Sequence, residues 1–196
     1  MYHIKPDKRS QASAQLIGNA MRELLKVRNF DDISVSDIQR QSTVGRATFY
    51  RLFDNTVDVL SWLCNQIFDT MANRNASPTE NMVESMTSFI GAWMEHELLL
   101  QAIIRSGHIE VIYEMLYRRM KEAGDLLFPD LQLENGKADY LVSIASTAMI
   151  GGLSAWLKHG KTESAEQVFE NIREVIGVFH QLTEKQVPGK GPEDQL

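Results

Sequence analysis

The sequence predicts an all-α protein of about nine helices, a three-helix head followed by a larger helical body. Three observations predict it. From Leu16 onward, apolar residues recur at spacings of three and four, the period of one helix face. Between Ser34 and Phe53, two short helical stretches flank a tight turn. From Lys137 to Glu184 run two long helical patterns separated at Gly160, a residue type that caps helix C-termini.

Composition fits that class. The 196 residues are 43% hydrophobic and 23% charged, ordinary for a soluble chain that builds one large domain or a small and a larger one. The single cysteine, Cys64, excludes an internal disulfide, and its neighbours Trp62, Leu63, Ile67 and Phe68 predict a buried structural thiol. The N-terminal residues lack the apolar stretch of a secretory signal. Tyr140 to Leu157 is uncharged over 18 residues, the lower limit for a membrane span. It contains Ser143, Ser146, Thr147, Gly151, Gly152 and Ser154 and has no second span, so the expectation is a helix buried between protein surfaces, with no membrane partner and a cytoplasmic location. Glu95, His96, Glu97 and His108 lack paired ligand spacing, so no metal is expected. Without a nucleophile–base pair or a phosphate loop, neither catalysis nor a cofactor is expected.

The net charge of −6 divides unevenly. Residues 1–53 carry nine Lys/Arg and five Asp/Glu, a charge of +4, whereas the remainder carries eleven and twenty-one, a charge of −10. The positive field sits in the head, where a nucleic-acid backbone responds to it locally.

In the head, Lys5, Lys8 and Arg9 precede a helix whose inward stripe is Leu16, Ile17, Ala20, Met21, Leu24 and Leu25. It is expected to stop near Arg28–Asn29, with Phe30 folding back onto the core. Lys8 and Arg9 oppose the helix dipole; either a nearby phosphate relieves that cost or solvent does. Ser34-Val35-Ser36-Asp37 has capping-box spacing and starts a second helix whose buried face is Val35, Ile38 and Val44. The turn at Gln41 to Gly45 leads into a third helix, Arg46 to Leu52. Phe49 and Phe53 face inward, leaving Arg46, Thr48, Tyr50 and Arg51 outside, a mixture suited to groove and backbone contacts on duplex DNA.

These residues carry a family resemblance. The run FDDISVSDI from Phe30, then VGRATFYRLF from Val44 to Phe53, then Asp58-Val59-Leu60, resembles the N-terminal domain of the tetracycline-repressor (TetR) family over about residues 8–62. The resemblance implies an all-helical homodimer with a helix-turn-helix reading head and a ligand-binding, dimerising body. By position, Arg46 and Thr48 would face bases, Tyr50 would touch a phosphate, and Ser34 and Ser36 would approach backbone or base; Lys8, Arg9, Gly45 and Arg51 complete the expected DNA-binding set. There are departures. Ser42-Thr43 stands where Ala-Gly is common, and Gly45 where a small polar residue is. Leu52 replaces a histidine and Thr56 a lysine, so two familiar phosphate contacts are absent and Arg51 is their substitute. The implied function is a ligand-responsive regulator, a repressor, on a pseudo-palindromic operator. The rival is a TetR-fold co-activator or interaction module that has lost operator binding.

The expected division is a DNA-binding domain at 1–55, a ligand-binding and dimerisation domain at 56–186 and a disordered tail at 187–196. Thr56 is expected to cap a fourth helix reaching about Asn75, a lever from head to body with Leu60, Leu63, Ile67, Phe68 and Met71 inward. After a break at Ser77 to Glu80, helices follow near 80–96, 98–105 and 108–123. Phe68, Met86, Phe89, Trp93, Met94, Tyr113, Met115 and Tyr117 are candidates for an apolar or aromatic effector pocket, and fit a plain core equally in kind. Asp125 to Gly136 reads as a loop over the pocket mouth. On the last two helices, Leu141, Ala145, Ala148, Gly152 and Trp156, with Ile172, Val175 and Phe179, are the expected dimer interface, half of an intermolecular four-helix bundle; packing within one chain is the alternative.

Overall fold

A computed structural model describes residues 2–74, 82–123 and 136–186. These hold nine α-helices: α1 (Lys8–Leu25), α2 (Val35–Ser42), α3 (Arg46–Leu52), α4 (Thr56–Arg74), α5 (Met82–Glu95), α6 (Glu97–Arg105), α7 (Glu110–Glu122), α8 (Lys137–Lys158) and α9 (Ala165–Gln186). Among the described residues there is no strand beyond an isolated antiparallel bridge between Tyr2 and Phe53. The expected break at 77–80, the loop from 125 to 135 and the tail from 187 lie outside the described residues.

Asp7 caps α1, its carboxylate accepting from the Ser10 amide at 2.9 Å. The helix ends at Leu25, earlier than the sequence suggests; beyond it the Val27 and Arg28 amides both donate to the Leu24 carbonyl, at 3.1 and 2.9 Å. Phe30 then folds onto the core from a short 3-10 turn, as expected. Leu16 does not: it is 50% exposed, because the buried stripe is centred on Ala14, Ile17, Gly18, Met21 and Leu25, and Leu16 falls beyond its edge. The stripe is placed by Gly18, where α1 meets α4 so closely that a Cβ would lie 2.4 Å from the Trp62 ring and 2.9 Å from Leu63 Cδ2.

In the turn between α2 and α3 the left-handed position is not held by a glycine. Thr43 takes a left-handed conformation (φ 58°), and the Ser42 hydroxyl accepts from the Val44 amide at 3.2 Å. A β-branched residue is strained there. At the start of α4 the cap is Asn55 rather than Thr56. The Asn55 side chain accepts from the Asp58 amide, and the Asp58 carboxylate accepts from the Asp54 amide, both at 2.9 Å. Thr56 is already the first residue of the helix, one position past the cap.

In the body, α7 lies along α8, and α9 packs across α5 and α8. Trp93, Leu100, Ile103, Ile112 and Leu153 are fully buried at its centre. Cys64 is buried too, and burial pushes its thiol pKa up. Charged ties cross the surface: Arg119 to Asp69 (2.7 Å) joins α7 to α4, and Lys161 to Glu97 (3.1 Å) joins the α8–α9 turn to α6. α8 is long and apolar enough to cross a membrane, yet it buries Val142, Ser146, Met149, Ile150, Leu153 and Trp156 against its neighbours.

Because the Trp62 ring is rigid, buried and packed against Phe53, Gly18→Ala is expected to destabilise the fold by about 1–3 kcal/mol through overpacking. A lowered urea midpoint at unchanged m-value is the measurement that checks it.

Candidate nucleic-acid interface

The helix-turn-helix is α2, the Thr43 turn and α3. Its first helix is fixed by a complete capping box: the Asp37 amide donates to the Ser34 hydroxyl (3.2 Å) and the Ser34 amide to the Asp37 carboxylate (3.0 Å). Hydrogen bonds from Ser34, through its hydroxyl and its amide, hold the Asp37 carboxyl below the usual carboxylate range, and Arg28 at 3.2 Å adds to this. The Ser34 hydroxyl is thus already engaged, whereas Ser36 beside it is exposed on the first turn.

On α3, Phe49 and Leu52 are buried, and Arg46, Tyr50 and Arg51 are exposed. Phe49 stands edge-on to Tyr50 (5.5 Å), and the Arg46 guanidinium lies over the Tyr50 ring, 5.6 Å from its centroid. Spacing of four residues puts the pair one turn apart, so the core phenylalanine braces the tyrosine and the tyrosine braces the arginine. Thr48 is half-buried. Gly45 caps α3 with no side-chain bond and ordinary φ (−65°), and a Cβ there would meet nothing within 4 Å. Lys8 and Arg9 are exposed in the first turn of α1. Leu52 is 1% exposed, so it belongs to the core and offers nothing to a phosphate.

An N-terminal arm joins this surface, which the sequence reading did not anticipate. Tyr2 pairs with Phe53, the His3 amide donates to the Leu52 carbonyl at 2.8 Å, and Asn65 of α4 donates to the Tyr2 hydroxyl. The one available signal was the apolar–polar alternation Tyr2-His3-Ile4, too short to read as a strand.

The effector-pocket candidates pack as core. Phe68, Phe89 and Trp93 form a buried triad with ring centroids 5.8–6.4 Å apart. Met86 and Met115 are buried and Met94 is half-buried. Tyr113 and Tyr117 stack at 5.9 Å and tie α7 to α8, their hydroxyls donating to Ser143 (3.2 Å) and Asp139 (3.1 Å). Three cavities formed by described residues are lined by other side chains. These are a cleft of about 260 Å³ between the end of α1 and α6, a groove of about 470 Å³ between α8 and α9, and a depression of about 640 Å³ near Met71, Val83, Gly91 and Ala165.

The dimer candidates separate into three groups. Val175 (66% exposed) and Phe179 (70%) stand on an open face with Ile144, Ile176, Val178 and Leu182. Leu141, Ala145 and Ala148 are half-buried. Trp156 turns inward, its indole N–H donating to the Glu163 carbonyl at 3.2 Å. Gly152 meets Ile172 of the same chain, whose Cδ1 lies 2.3 Å from where a Cβ would be. These last three residues serve the α8–α9 contact inside the chain. Among the described residues no group of three potential metal ligands comes together.

A TetR family model described as "Transcriptional regulator C-terminal region" matches residues 80–177, half of the chain. The dhaKLM operon transcriptional activator DhaS of Lactococcus lactis is 33% identical over 69 residues, 35% of this chain and 37% of that relative, so the match spans little more than a third of the relative's length. The fold is similar to the crystal structure of Lin0861 from Listeria innocua (TM-score 0.75, 17% identity, covering 90% of this chain and 96% of that one). It is also similar to a putative TetR-family regulator from Syntrophomonas wolfei (TM-score 0.61, 16% identity, 92% and 98%).

Ser34→Ala removes the cap of α2 and is expected to cost about 1 kcal/mol, whereas Ser36→Ala leaves stability unchanged. The Asp37 carboxyl has its pKa lowered on folding, so its contribution is present above the ordinary carboxylate range and lost as pH falls through the lowered value. Melting curves between pH 7 and pH 3 therefore show a flatter acid limb for Ser34→Ala than for the wild type.

Proposed function

The chain belongs to the TetR family of transcriptional regulators, and from that premise we propose that it binds a pseudo-palindromic DNA operator as a homodimer and responds to a small-molecule effector. The observation that carries this reading is the exposed edge of α3, where Arg46 is held over Tyr50 in a head that is net positive within an acidic chain. A guanidinium fixed in that way enters the major groove with little rotamer freedom left to lose and can pair with guanine O6 and N7. Tyr50, Arg51, Ser36, Lys8 and Arg9 take backbone contacts, and Ser34 serves chiefly as the cap.

Two copies joined through the open face of α8 and α9 present two α3 helices at half-sites about 34–36 Å apart, or a multiple of that spacing. On this proposal residues 1–55 read DNA and 56–186 dimerise and take the effector, an apolar molecule admitted among the methionines and aromatic rings of the body core. The chain acts in the cytoplasm as a repressor. The relative DhaS is an activator, so the sign is tested directly: expression from the operator promoter rises on deletion of a repressor and falls on deletion of an activator. The second reading, a TetR-fold co-activator or interaction module without operator binding, draws on the burial of Leu52. It predicts no salt-dependent affinity for any duplex.

Arg46→Ala is expected to weaken operator binding by about 1–3 kcal/mol and to relax preference at one base pair of each half-site. Fluorescence anisotropy against a set of singly substituted operators reads both. Phe179→Asp places a charge on the open face and is expected to weaken dimerisation by roughly 2–4 kcal/mol; sedimentation equilibrium showing an unchanged dimer would remove that face from the interface.

A further inference from the structure

The N-terminal arm places a titratable cation where α3 ends. The bridge between Tyr2 and Phe53 makes the arm a one-residue antiparallel strand, and successive side chains of an extended segment point to opposite sides. Tyr2 accordingly packs inward on Phe53, at 6.4 Å between centroids, and Ile4 is half-buried against the core. His3 between them points out: its side chain is 52% exposed, and its amide is anchored to the Leu52 carbonyl, the last of α3. A helix lying in a groove meets the sugar–phosphate backbone at its ends and at the adjoining turn. Leu52, at that end of α3, is buried and can make no such contact, so the imidazole stands beside a position that cannot reach a phosphate itself.

We propose that the arm delivers His3 to the DNA interface as a phosphate-binding cation at the C-terminal end of the reading helix. The inference rests on the operator-binding reading above. The charged and titratable groups around His3 come from the arm, α3, α4 and the turn between them, and the chain's α-amino group also acts on Asp54. Asp54, in the α3–α4 turn, lies 3.2 Å from the imidazole Nε2. Asp58 of α4 is buried and accepts from the Asp54 amide. Tyr2, in the arm itself, has its phenol pKa raised by burial and stays neutral. Arg51 on α3 and Lys5 in the arm are exposed cations. Protonation of an imidazole between pH 5 and pH 8 adds one charge to a surface already cationic at this end, and one phosphate contact releases about one counterion.

The test is operator binding by the full-length chain across a salt series at pH 5.5 and pH 8, for wild type, His3→Gln and His3→Lys. The expected result is a wild-type slope of log K against log salt about 0.9 steeper at pH 5.5 than that of His3→Gln, with the two converging at pH 8. His3→Lys, which carries its charge at both pH values, keeps the steep slope throughout; it also separates loss of charge from any loss of arm packing. If wild type binds and His3→Gln superimposes on it at both pH values, the proposal for His3 is overturned while operator binding stands. If the wild-type chain binds no duplex at either pH, both readings fall.

Discussion

The contact on which the head depends is the approach of α1 to α4 at Gly18, where only a hydrogen atom separates the α1 backbone from the Trp62 ring. The same indole meets Phe53 edge-on at 6.0 Å, and Phe53 in turn meets Phe49 at 5.9 Å. One run of aromatic rings therefore leads from the first turns of α4 to the interior of α3. Rings packed at this density have no room for small independent rotations, so α3 and the start of α4 move as one piece. The other link between head and body is softer. Phe30 meets His108 edge-on at 5.8 Å, and beside it the cleft between α1 and α6 is lined by Arg28, Asp31, Asp32 and Arg105. A stiff attachment through α4 and a polar, open one through α6 is an arrangement in which rotation of α4 carries the reading helix with it.

Preorganisation recurs at each level of the head. Under the proposed operator binding, ordering the long Arg46 side chain on DNA would carry an entropic cost, and the Tyr50 ring below it would remove part of that cost before binding. Tyr50 is held by Phe49, and Phe49 by the core. At the other end of α3, the arm is pinned by a backbone hydrogen bond and by the Asn65–Tyr2 contact, so His3 is not a loose tail residue. The acidic body works in the opposite sense. Under the same proposed operator binding, a charge of −10 outside the head would repel the polyanion and restrict non-specific contact to the basic end of the molecule.

What the sequence disclosed was local chemistry. The Ser34–Asp37 box, the bounds of α3 and the inward Phe49 and Phe53 are set by residues three or four positions apart, and the structure agrees with each. The long α4 and the nine helices of the described residues followed from periodicity over many turns. What stayed hidden depends on contacts that periodicity does not encode. Leu16 and Trp156 each lie at the border of a stripe, and the partner helix decides which side is inward; for Trp156 the decision is a hydrogen bond to Glu163 across the turn at Gly160. Gly152 was read as a surface for another chain because small residues permit close approach, but they do not say whose helix approaches, and here it is α9 of the same chain. Asn55 was passed over because Thr56 is also a capping type, and the two differ only by one residue of helix phase. The arm was missed because a single bridge leaves almost no pattern in a sequence.

The uncharged stretch from Tyr140 to Leu157 shows how one composition supports different structures. By length and composition alone the helix that contains it qualifies as a membrane span. In the fold it is divided lengthwise: Val142, Met149, Ile150, Leu153 and Trp156 face the body, while Tyr140 and Ile144 are left outside. A span would be apolar all round with one environment on every side; this helix has two. Its outer side is continued by Val175, Ile176, Val178, Phe179 and Leu182 on α9, and so many exposed apolar side chains on adjacent helices exceed what a monomer commonly leaves in water. A second copy covers such a face economically, since a twofold axis sets the same residues against themselves and needs no separately evolved partner surface. The absence of charge along α8 is then explained twice over, by burial in its own body on one side and, under the proposed dimer, by burial against its copy on the other.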